Sequence, residues 1–202
     1  GLEDFHTDGK TFTDEWGVSY IKKGWPVMFQ TRNPIKNRKD WEKYSMPDPK
    51  SPHRTAKIKD AVSANKDDIA IVADFLGPFT IVYQYLMDVT TFSVTLYDDP
   101  YLIIEMCSAY TNWVIESAKE VIKVGGIDAF VIADDWGSSN GLLISPKHLK
   151  KYFLKPFGNI VRSLRELGFP VIMHNDGNIW EVLEELVSTG INGYHPVEKA
   201  AT

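Results

Sequence analysis

Short apolar runs alternate with amphipathic stretches along most of this chain. The apolar runs that predict strands are residues 69–74, 128–133, 170–174 and 191–195. Between them, apolar residues recur every three or four positions, which predicts helices. Gly125, Gly168 and Gly190 follow these stretches, as glycine commonly does at helix C-termini. Strands that alternate with helices predict an α/β fold with a parallel sheet.

A polar cluster follows the carboxyl end of each predicted strand. The clusters contain Asp74; Asp134, Asp135 and Trp136; His174 and Asp176; and Tyr194, His195 and Glu198. In parallel α/β sheets and barrels, the carboxyl edge of the strands is where ligands bind and catalysis occurs. We therefore interpret this edge as the active-site face.

The N-terminal quarter has a different pattern. Polar and bulky residues alternate over 14–20, and a second bulky segment at 25–29 follows a Lys-Lys-Gly turn. This pattern predicts a β-hairpin insertion within residues 11–31. Residues 32–55 are rich in Asn, Pro, Lys and Asp, which predicts a surface loop. We expect residues 1–202 to form a single barrel domain that carries this hairpin and loop.

Several helix boundaries carry their own signals. The pairs Asp-Pro at 99–100 and Ser-Pro at 145–146 are typical of helix N-termini. The apolar stripe after the second pair continues to Leu167 and predicts one uninterrupted helix. Asn178, with Glu181 three residues later, has a capping-box pattern and predicts the start of another helix.

Composition and charge exclude several classes of function. The chain is 44% hydrophobic and 24% charged, which is typical of a globular domain, and its net charge is −5. With no basic face, nucleic acid is not an expected partner. No apolar run approaches the roughly 20 residues of a membrane span. The single Cys107 cannot form an internal disulfide, which predicts a cytoplasmic location, and its apolar helical setting predicts a buried, inert thiol.

His174 and Asp176 are the sharpest chemical signal. At positions i and i+2 of an extended segment, their side chains share one face, with Cα atoms roughly 6–7 Å apart. An imidazole nitrogen and a carboxylate oxygen suit zinc, which needs one or two further ligands. Glu198, just past the next predicted strand, is a candidate for one of them. The alternative is a His-x-Asp pair that simply forms a hydrogen bond, although Gly177 favours close approach of a backbone or ligand.

Asp134 and Asp135 are candidates for acid–base catalysis. Side chains alternate along a strand, so only one of the two should face the mouth of the barrel. Two such close carboxylates push one pKa upward when they are desolvated. The alternative is that one acid caps the next loop while the other meets solvent. The candidate substrate-binding residues are Asp74, Trp136, Tyr194 and His195, with packing or rim hydrogen bonding as the alternative roles.

Four stretches resemble motifs of the uroporphyrinogen decarboxylase superfamily. They are Gly77-Pro78-Phe79-Thr80; Asp135-Trp136-Gly137 followed by Ser145-Pro146; His174-Asn175-Asp176-Gly177-Asn178; and Gly193-Tyr194-His195-Pro196-Val197-Glu198. The resemblance spans most of residues 11–200 in the same order. It implies a (β/α)₈ TIM barrel of which this chain covers only about half, truncated at both ends, and it suggests a homodimer.

The superfamily contains cofactor-free decarboxylases and zinc-dependent methyltransferases that work with methyl-corrinoid proteins. In the methyltransferases, a His-x-Cys pair supplies two zinc ligands; here Asp176 stands at the Cys position. A carboxylate in place of a thiolate leaves zinc a harder Lewis acid, better matched to oxygen than to sulfur. The resemblance therefore implies methyl transfer from an O- or N-methylated small molecule to a corrinoid cofactor, which a partner protein would carry.

The sequence is also compatible with two other functions. Metal-free decarboxylation of uroporphyrinogen, a step of porphyrin biosynthesis, needs arginines for a substrate with many carboxylates. The arginines at hand lie on predicted loops or helices rather than at strand ends, which favours methyl transfer. The remaining alternative is a non-catalytic binding barrel, which would hold no metal.

Overall fold

A computed structural model describes residues 9–23, 28–66 and 69–197, which fall into two units. Among these described residues, unit 1 contains those up to 47 together with 81–103, and unit 2 contains those of 48–80 together with those from 104 onward. The strands are β1 (Thr11–Thr13), β2 (Ser19–Lys22), β3 (Met28–Arg32), β4 (Val72–Leu76), β5 (Ala129–Ala133), β6 (Gly137–Ser138), β7 (Gly141–Leu142), β8 (Val171–His174) and β9 (Gly193–His195). The helices are α1 (Arg38–Lys43), α2 (His53–Ala64), α3 (Pro78–Thr80), α4 (Val89–Asp98), α5 (Pro100–Val124), α6 (Pro146–Tyr152), α7 (Leu154–Glu166) and α8 (Leu183–Ser188), with a π-helix at Ile81–Leu86 and a 3₁₀-helix at Trp180–Val182.

Unit 2 is built on a parallel sheet with the strand order β4-β5-β8-β9. Each of these strands lies next to the one that follows it in the sheet, so the order never reverses within the described residues. A doubly wound sheet has such a reversal, whereas a (β/α)₈ barrel adds its parallel strands in sequence. The predicted parallel sheet is confirmed, and its topology is that of a barrel.

The first strand of this sheet begins later than its apolar run predicts. Ile69 is excluded from β4 because the Asn65 side chain binds both of its backbone groups, at 3.1 and 2.7 Å. The strand consequently runs from Val72 to Leu76, and Asp74 lies in its middle. The prediction that Asp74 ends the strand was therefore wrong.

The two faces of the parallel sheet differ in exposure. Side chains alternate along each strand, and paired residues of parallel neighbours share a face. One face carries Phe130, Ile132 and Met173, which are fully buried. The other face carries Val72, which is 41% exposed, and Asp74, which is also exposed. In a closed barrel the helices cover one face and the second points inward, so the exposed side chains occupy the inward face.

The helix predicted from Pro146 to Leu167 is two helices. α6 ends at Tyr152 and α7 begins at Leu154, with Phe153 between them. Pro156 explains the break, because it has no N–H to donate to the carbonyl of Tyr152 and its ring crowds that carbonyl. The apolar stripe continues across the break, which is why periodicity alone predicts one helix.

The segment after Asn178 also departs from its prediction. Asn178 does cap the backbone, since its Oδ1 accepts from the Trp180 N–H at 3.1 Å. A 3₁₀-helix follows, however, and the regular helix α8 begins only at Leu183. The polar cap is therefore present, but it starts a 3₁₀ turn instead of an α-helix.

Unit 1 contains an antiparallel sheet of β1, β2 and β3, in that order. β2 and β3 form the predicted hairpin pairing, with Ile21 opposite Phe29; residues 24–27 lie outside the described part of the chain. The alternation over 14–20 is not one strand. The Asp14 carboxylate instead accepts from the backbone N–H groups of Trp16 and Val18, each at 2.9 Å, and this turn delays the strand to Ser19.

Two further elements of unit 1 have local polar support. The π-helix Ile81–Leu86 has a wider turn, and the Asn33 amide donates to the carbonyls of Gln84 and Tyr85 at 2.9 and 2.8 Å. Helix α4, which the sequence pattern did not predict, begins after Asp88, whose Oδ1 accepts from the Thr91 N–H at 2.9 Å.

Helix α5 confirms the prediction for Cys107. The residue is fully buried, and burial together with nearby Asp134 raises the pKa of its thiol well above the usual value. A thiol that stays protonated is a poor nucleophile. None of the helices in the described ranges is long and apolar enough to span a bilayer.

We predict that Phe130→Ala destabilises the protein strongly. Phe130 is fully buried on β5 and contacts Phe75 and Phe169 at ring-centroid distances of 6.1 and 5.5 Å. Loss of such a ring costs about 3–5 kcal/mol in unfolding free energy. Urea denaturation measures the change. The exposed Val187→Ala on α8 is the control, with an expected change within about 0.5 kcal/mol; equal effects of the two substitutions would contradict this description of the core.

Candidate active site

The loops that follow β4, β5 and β8 are tied together by backbone hydrogen bonds that continue the sheet. The Gly77 N–H donates to the Ala133 carbonyl at 2.7 Å, and the Asp134 N–H donates to the His174 carbonyl at 2.9 Å. The Asn175 N–H donates to the His195 carbonyl at 3.0 Å. These bonds bring the predicted polar clusters to one edge of the sheet.

Asp134 is buried beneath this edge. It is fully inaccessible, and its two carboxylate oxygens accept from the Thr80 N–H and from Trp136 Nε1, each at 2.7 Å. A Cβ on Gly77 would overlap its side chain, so the chain can pass this close only with glycine at that position. Burial raises the pKa of Asp134 to about 7, although the hydrogen bonds from Thr80 and Trp136 oppose the rise. Asp134 therefore links Thr80 to the loop after β5 through buried hydrogen bonds.

Thr80 separates the two neighbouring acids. Its backbone N–H binds Asp134, while its hydroxyl accepts from the Asp135 N–H at 2.9 Å. As a result Asp134 is held inside, and Asp135 keeps about a third of its side chain accessible. The structure thus has one buried acid and one that faces the site.

Asn175 connects the loop after β5, the loop after β8 and strand β9. The sequence pattern did not single this residue out. Its Oδ1 accepts from the N–H groups of Trp136 and Gly137, at 2.6 and 3.2 Å. Its Nδ2 donates to the Gly177 carbonyl and to the Tyr194 hydroxyl, at 3.1 and 3.0 Å. The residue is fully buried. The only sequence signal for this role is a polar residue between two candidate ligands at a strand end.

Gly177 permits a close approach of two loops at the site. Its φ is +104°, and a Cβ there would lie 2.7 Å from backbone atoms of Gly137 and Ser138. A side chain would therefore meet both strain and overlap. The sequence predicted that a backbone or a ligand would approach Gly177 closely, and in the structure the backbone of Gly137 and Ser138 does so.

Asp135, His174 and Asp176 form the central cluster of the edge. Their ligand-type atoms all lie within 4.8 Å of one another. His174 Nε2 is 3.9 Å from Asp135 Oδ1 and 3.6 Å from Asp176 Oδ1. Asp135 Oδ1 also accepts from the Asp176 N–H at 2.9 Å, which holds the two acidic residues together. The imidazole is therefore flanked by two carboxylates that remain partly accessible.

His195 contacts the opposite side of the His174 ring. The Nδ1 atoms of the two histidines are 3.4 Å apart, and their ring centroids are 4.8 Å apart. A hydrogen bond between two such nitrogens requires one to donate and the other to accept. If His174 Nδ1 donates, its Nε2 keeps a free lone pair directed at the two carboxylates.

The donor set of this cluster fits a divalent cation. Zinc bound tetrahedrally at about 2.0–2.2 Å places its donors about 3.2–3.6 Å apart. The separations from His174 Nε2 are 3.6 and 3.9 Å, and the three donors lie within 4.8 Å of one another, so side-chain rotations would be needed to bring all three into that range. Two carboxylates beside the imidazole also supply the negative charge that a divalent ion needs. One nitrogen donor and two oxygen donors suit zinc. None of these three residues is a thiolate, so they do not form the kind of site that selects the softer metal ions.

The structure separates the predicted site residues by position and burial. Asp135, predicted to act in acid–base catalysis, lies where the third ligand was expected. Glu198, predicted as that ligand, lies outside the described residues. Asp134 and Trp136 are both fully buried. The catalytic role predicted for Asp134 and the substrate-binding role predicted for Trp136 stay predictions.

The other predicted substrate-binding residues lie in different surroundings. The Tyr194 hydroxyl is engaged with Asn175, so its polar end supports the loop. His195 lies beside His174 at the rim of the edge. Asp74 lies below the strand ends, on the inward face, and its pairing partner is Val131.

The comparisons with known proteins agree with this architecture. A family model described as Uroporphyrinogen decarboxylase (URO-D) matches residues 17–199. Among solved structures, a methyltransferase from Methanosarcina mazei matches with a TM-score of 0.73 and 21% sequence identity, over 89% of this chain and 52% of that chain. The chain thus spans about half the length of that structure, which confirms the predicted partial barrel. No curated protein matches the chain.

We predict that Asp134 makes stability fall as pH rises. A carboxyl with a pKa of about 3.9 in the unfolded chain and about 7 in the folded protein binds its proton more tightly when folded. Its contribution is therefore complete below about pH 4 and is lost as pH rises through about 7. Urea denaturation in a chelator between pH 4.5 and 8 should show a steeper loss for the wild type than for Asp134→Asn.

The exposed Asp60→Asn is the matched control and should follow the wild type. Parallel pH dependence for the wild type and Asp134→Asn would show that the proton of Asp134 is not linked to folding.

We predict that Asn175→Ala both destabilises the protein and disorders the site. The substitution leaves the buried N–H groups of Trp136 and Gly137 without their acceptor, at about 1–3 kcal/mol for each. Denaturation measures the free energy, and the histidine NMR signals of His174 and His195 report the site. Unchanged stability and unchanged signals would show that Asn175 does not organise this edge.

Proposed function

The chain belongs to the uroporphyrinogen decarboxylase (URO-D) family, as its motifs predicted, and we propose that it carries out metal-dependent methyl transfer. In this proposal the methyl donor is an O- or N-methylated small molecule, and the acceptor is a corrinoid carried by a partner protein. The observation that carries the proposal is the cluster of Asp135, His174 and Asp176 at the carboxyl edge of a parallel sheet. The methyltransferase among the similar folds supports this branch of the family over the others.

Asp135, His174 and Asp176 would hold the metal, and zinc is the ion that we propose. When bound, zinc supplies a Lewis acid that polarises the heteroatom carrying the methyl group. In the transfer, the carbon–heteroatom bond breaks, its electron pair stays on the heteroatom, and the heteroatom takes up a proton. The reduced corrinoid supplies the electron pair for the new bond to the methyl group. The chain's own residues contribute a fixed, accessible cluster and the surrounding buried network that orients it.

His195 has a positioning role in this proposal. Donation of the His174 Nδ1 proton to His195 Nδ1 fixes the ring orientation and leaves Nε2 as the ligand atom. Asp135 has a double role, because the oxygen that faces His174 also binds the Asp176 backbone. The three ligand candidates are therefore mutually supported.

The choice of an oxygen or nitrogen substrate follows from the donors. Two carboxylates and one imidazole make a harder site than one built on thiolates, and a harder ion prefers oxygen or nitrogen ligands. The single cysteine of the chain, Cys107, is buried away from the surface and supplies no ligand here. A thiol methyl acceptor is accordingly the less favoured variant.

We predict that the purified protein contains about one zinc per chain and that the double variant His174→Ala/Asp176→Ala has lost it. Removing two of three candidate donors leaves too few to hold the ion. Elemental analysis after dialysis measures the content. Zinc retained in full by the double variant would contradict the assignment.

Single substitutions separate ligands from supporting residues. Asp135→Asn should weaken zinc binding at least about tenfold, because outer-shell changes alone typically cost 10–100-fold. His195→Phe should fall within that outer-shell range. The exposed Asp60→Asn, a matched change away from the cluster, should bind zinc as the wild type does.

The reaction itself is tested with ¹³C-methyl-labelled O-methyl and N-methyl substrates and a reduced corrinoid. The expected result is transfer of the label to the corrinoid by the zinc-loaded protein, lost in Asp135→Asn. Release of carbon dioxide from uroporphyrinogen without metal would instead establish the decarboxylase alternative. Binding without turnover of either substrate would establish a non-catalytic barrel.

A further inference from the structure

A cleft on unit 2 lies between helix α5 and the helices α6 and α7. Its volume is about 430 Å³, which is enough for a small organic molecule. Its lining consists of Ile104, Ser108, Thr111, Asn112, Lys151, Tyr152, Lys155, Pro156 and Asn159. The α5 residues recur at four- and three-residue spacing, so they form one face of that helix. None of the lining residues belongs to the metal cluster.

Thr111 is the unusual residue of this cleft. It is 5% exposed, and its Oγ1 is the buried side-chain polar atom that lacks a hydrogen-bond partner within the described residues. A buried hydroxyl without a partner costs about 1–3 kcal/mol. Valine has nearly the same shape without that cost, so packing alone does not explain threonine. A ligand in the cleft would supply the missing partner once the Thr111 side chain rotates its hydroxyl toward the cleft, because Oγ1 is closed off from solvent in its present position.

The remaining polar side chains of the cleft can all donate hydrogen bonds. Lys151 and Lys155 contribute two positive charges, and the lining contains no carboxylate. Across the described residues, neither Lys155 nor Lys151 makes an ion pair. The Nζ of Lys151 lies over the ring of Tyr152, 4.8 Å from the ring centroid. On a chain with a net charge of −5, this is a local concentration of positive charge. Such a lining attracts an anion.

We propose that this cleft binds a small organic anion, a phosphate or carboxylate attached to a short apolar group. The anionic oxygens would accept from Thr111 and from the two lysines. The apolar part would lie against Ile104, Tyr152 and Pro156, which form the apolar side of the lining. The site is distinct from the metal cluster, so the anion has a role separate from the transferred methyl group.

The test uses phenyl phosphate and benzoate as probes and benzyl alcohol as a neutral control, with binding measured by calorimetry in a chelator. Either anion should bind, and benzyl alcohol should not. Lys151→Ala/Lys155→Ala should weaken binding at least about fivefold, in keeping with exposed charge contacts. The matched variant Lys59→Ala/Lys147→Ala removes two exposed lysines outside the cleft and should bind the anions normally.

Thr111→Val gives the sharpest readout, because its two effects have opposite signs. It should raise the Tm of the ligand-free protein, since an unpaired buried hydroxyl is removed, and it should reduce the Tm increase that phenyl phosphate produces. Unchanged anion binding by Thr111→Val and by the double lysine variant would overturn the proposal.

The metal-cluster variant His174→Ala/Asp176→Ala separates this inference from the proposed function. It should bind the anions as the wild type does, whatever its zinc content. Binding that disappears in this variant, and persists in Lys151→Ala/Lys155→Ala, would place the anion at the metal cluster and contradict a cleft site.

Discussion

The buried carboxamide of Asn175 is the interaction on which the active-site edge depends. It accepts from the backbone of the loop after β5 and donates to the loop after β8 and to Tyr194 on β9. A single amide thus sets the spacing between the two loops that carry Asp135 and Asp176. A fully buried amide is costly unless all its groups are paired, and here both ends are used. The positions of Asp135 and Asp176 in the accessible cluster therefore depend on the buried hydrogen bonds of Asn175.

The parts of the structure that follow from periodic patterns could be predicted from the sequence. Apolar runs and glycine stops predicted the parallel strands within a few residues, and strand-end polarity predicted the edge where the site lies. The order of the strands then brings β5 and β8 together. Ala133 pairs with His174, so Asp135 and Asp176, each two residues further on, reach the same level at that edge. A register argument of this kind could have assigned Asp135 to the cluster.

Other features depend on individual contacts that the hydrophobic periodicity of the sequence does not reveal. Pro156 divides an apolar stripe into two helices, because the break depends on a missing N–H rather than on hydrophobicity. Asp134 and Asp135 are adjacent and chemically identical, yet the backbone and hydroxyl of Thr80 hold one inside and leave the other accessible. Trp136 supplies a further bond to the inner acid. Burial of a polar side chain depends on partners that arrive from elsewhere in the chain, so sequence spacing alone cannot assign it.

We propose that Asp135, His174 and Asp176 hold a zinc ion at the carboxyl edge of the parallel strands. Anomalous diffraction from crystals of the zinc-loaded protein, recorded on both sides of the zinc absorption edge, tests it most directly. The expected result is one strong anomalous peak within about 2.0–2.2 Å of His174 Nε2 and of a carboxylate oxygen from each aspartate. A peak elsewhere, or an ordered cluster with no peak despite bound zinc in solution, would contradict it.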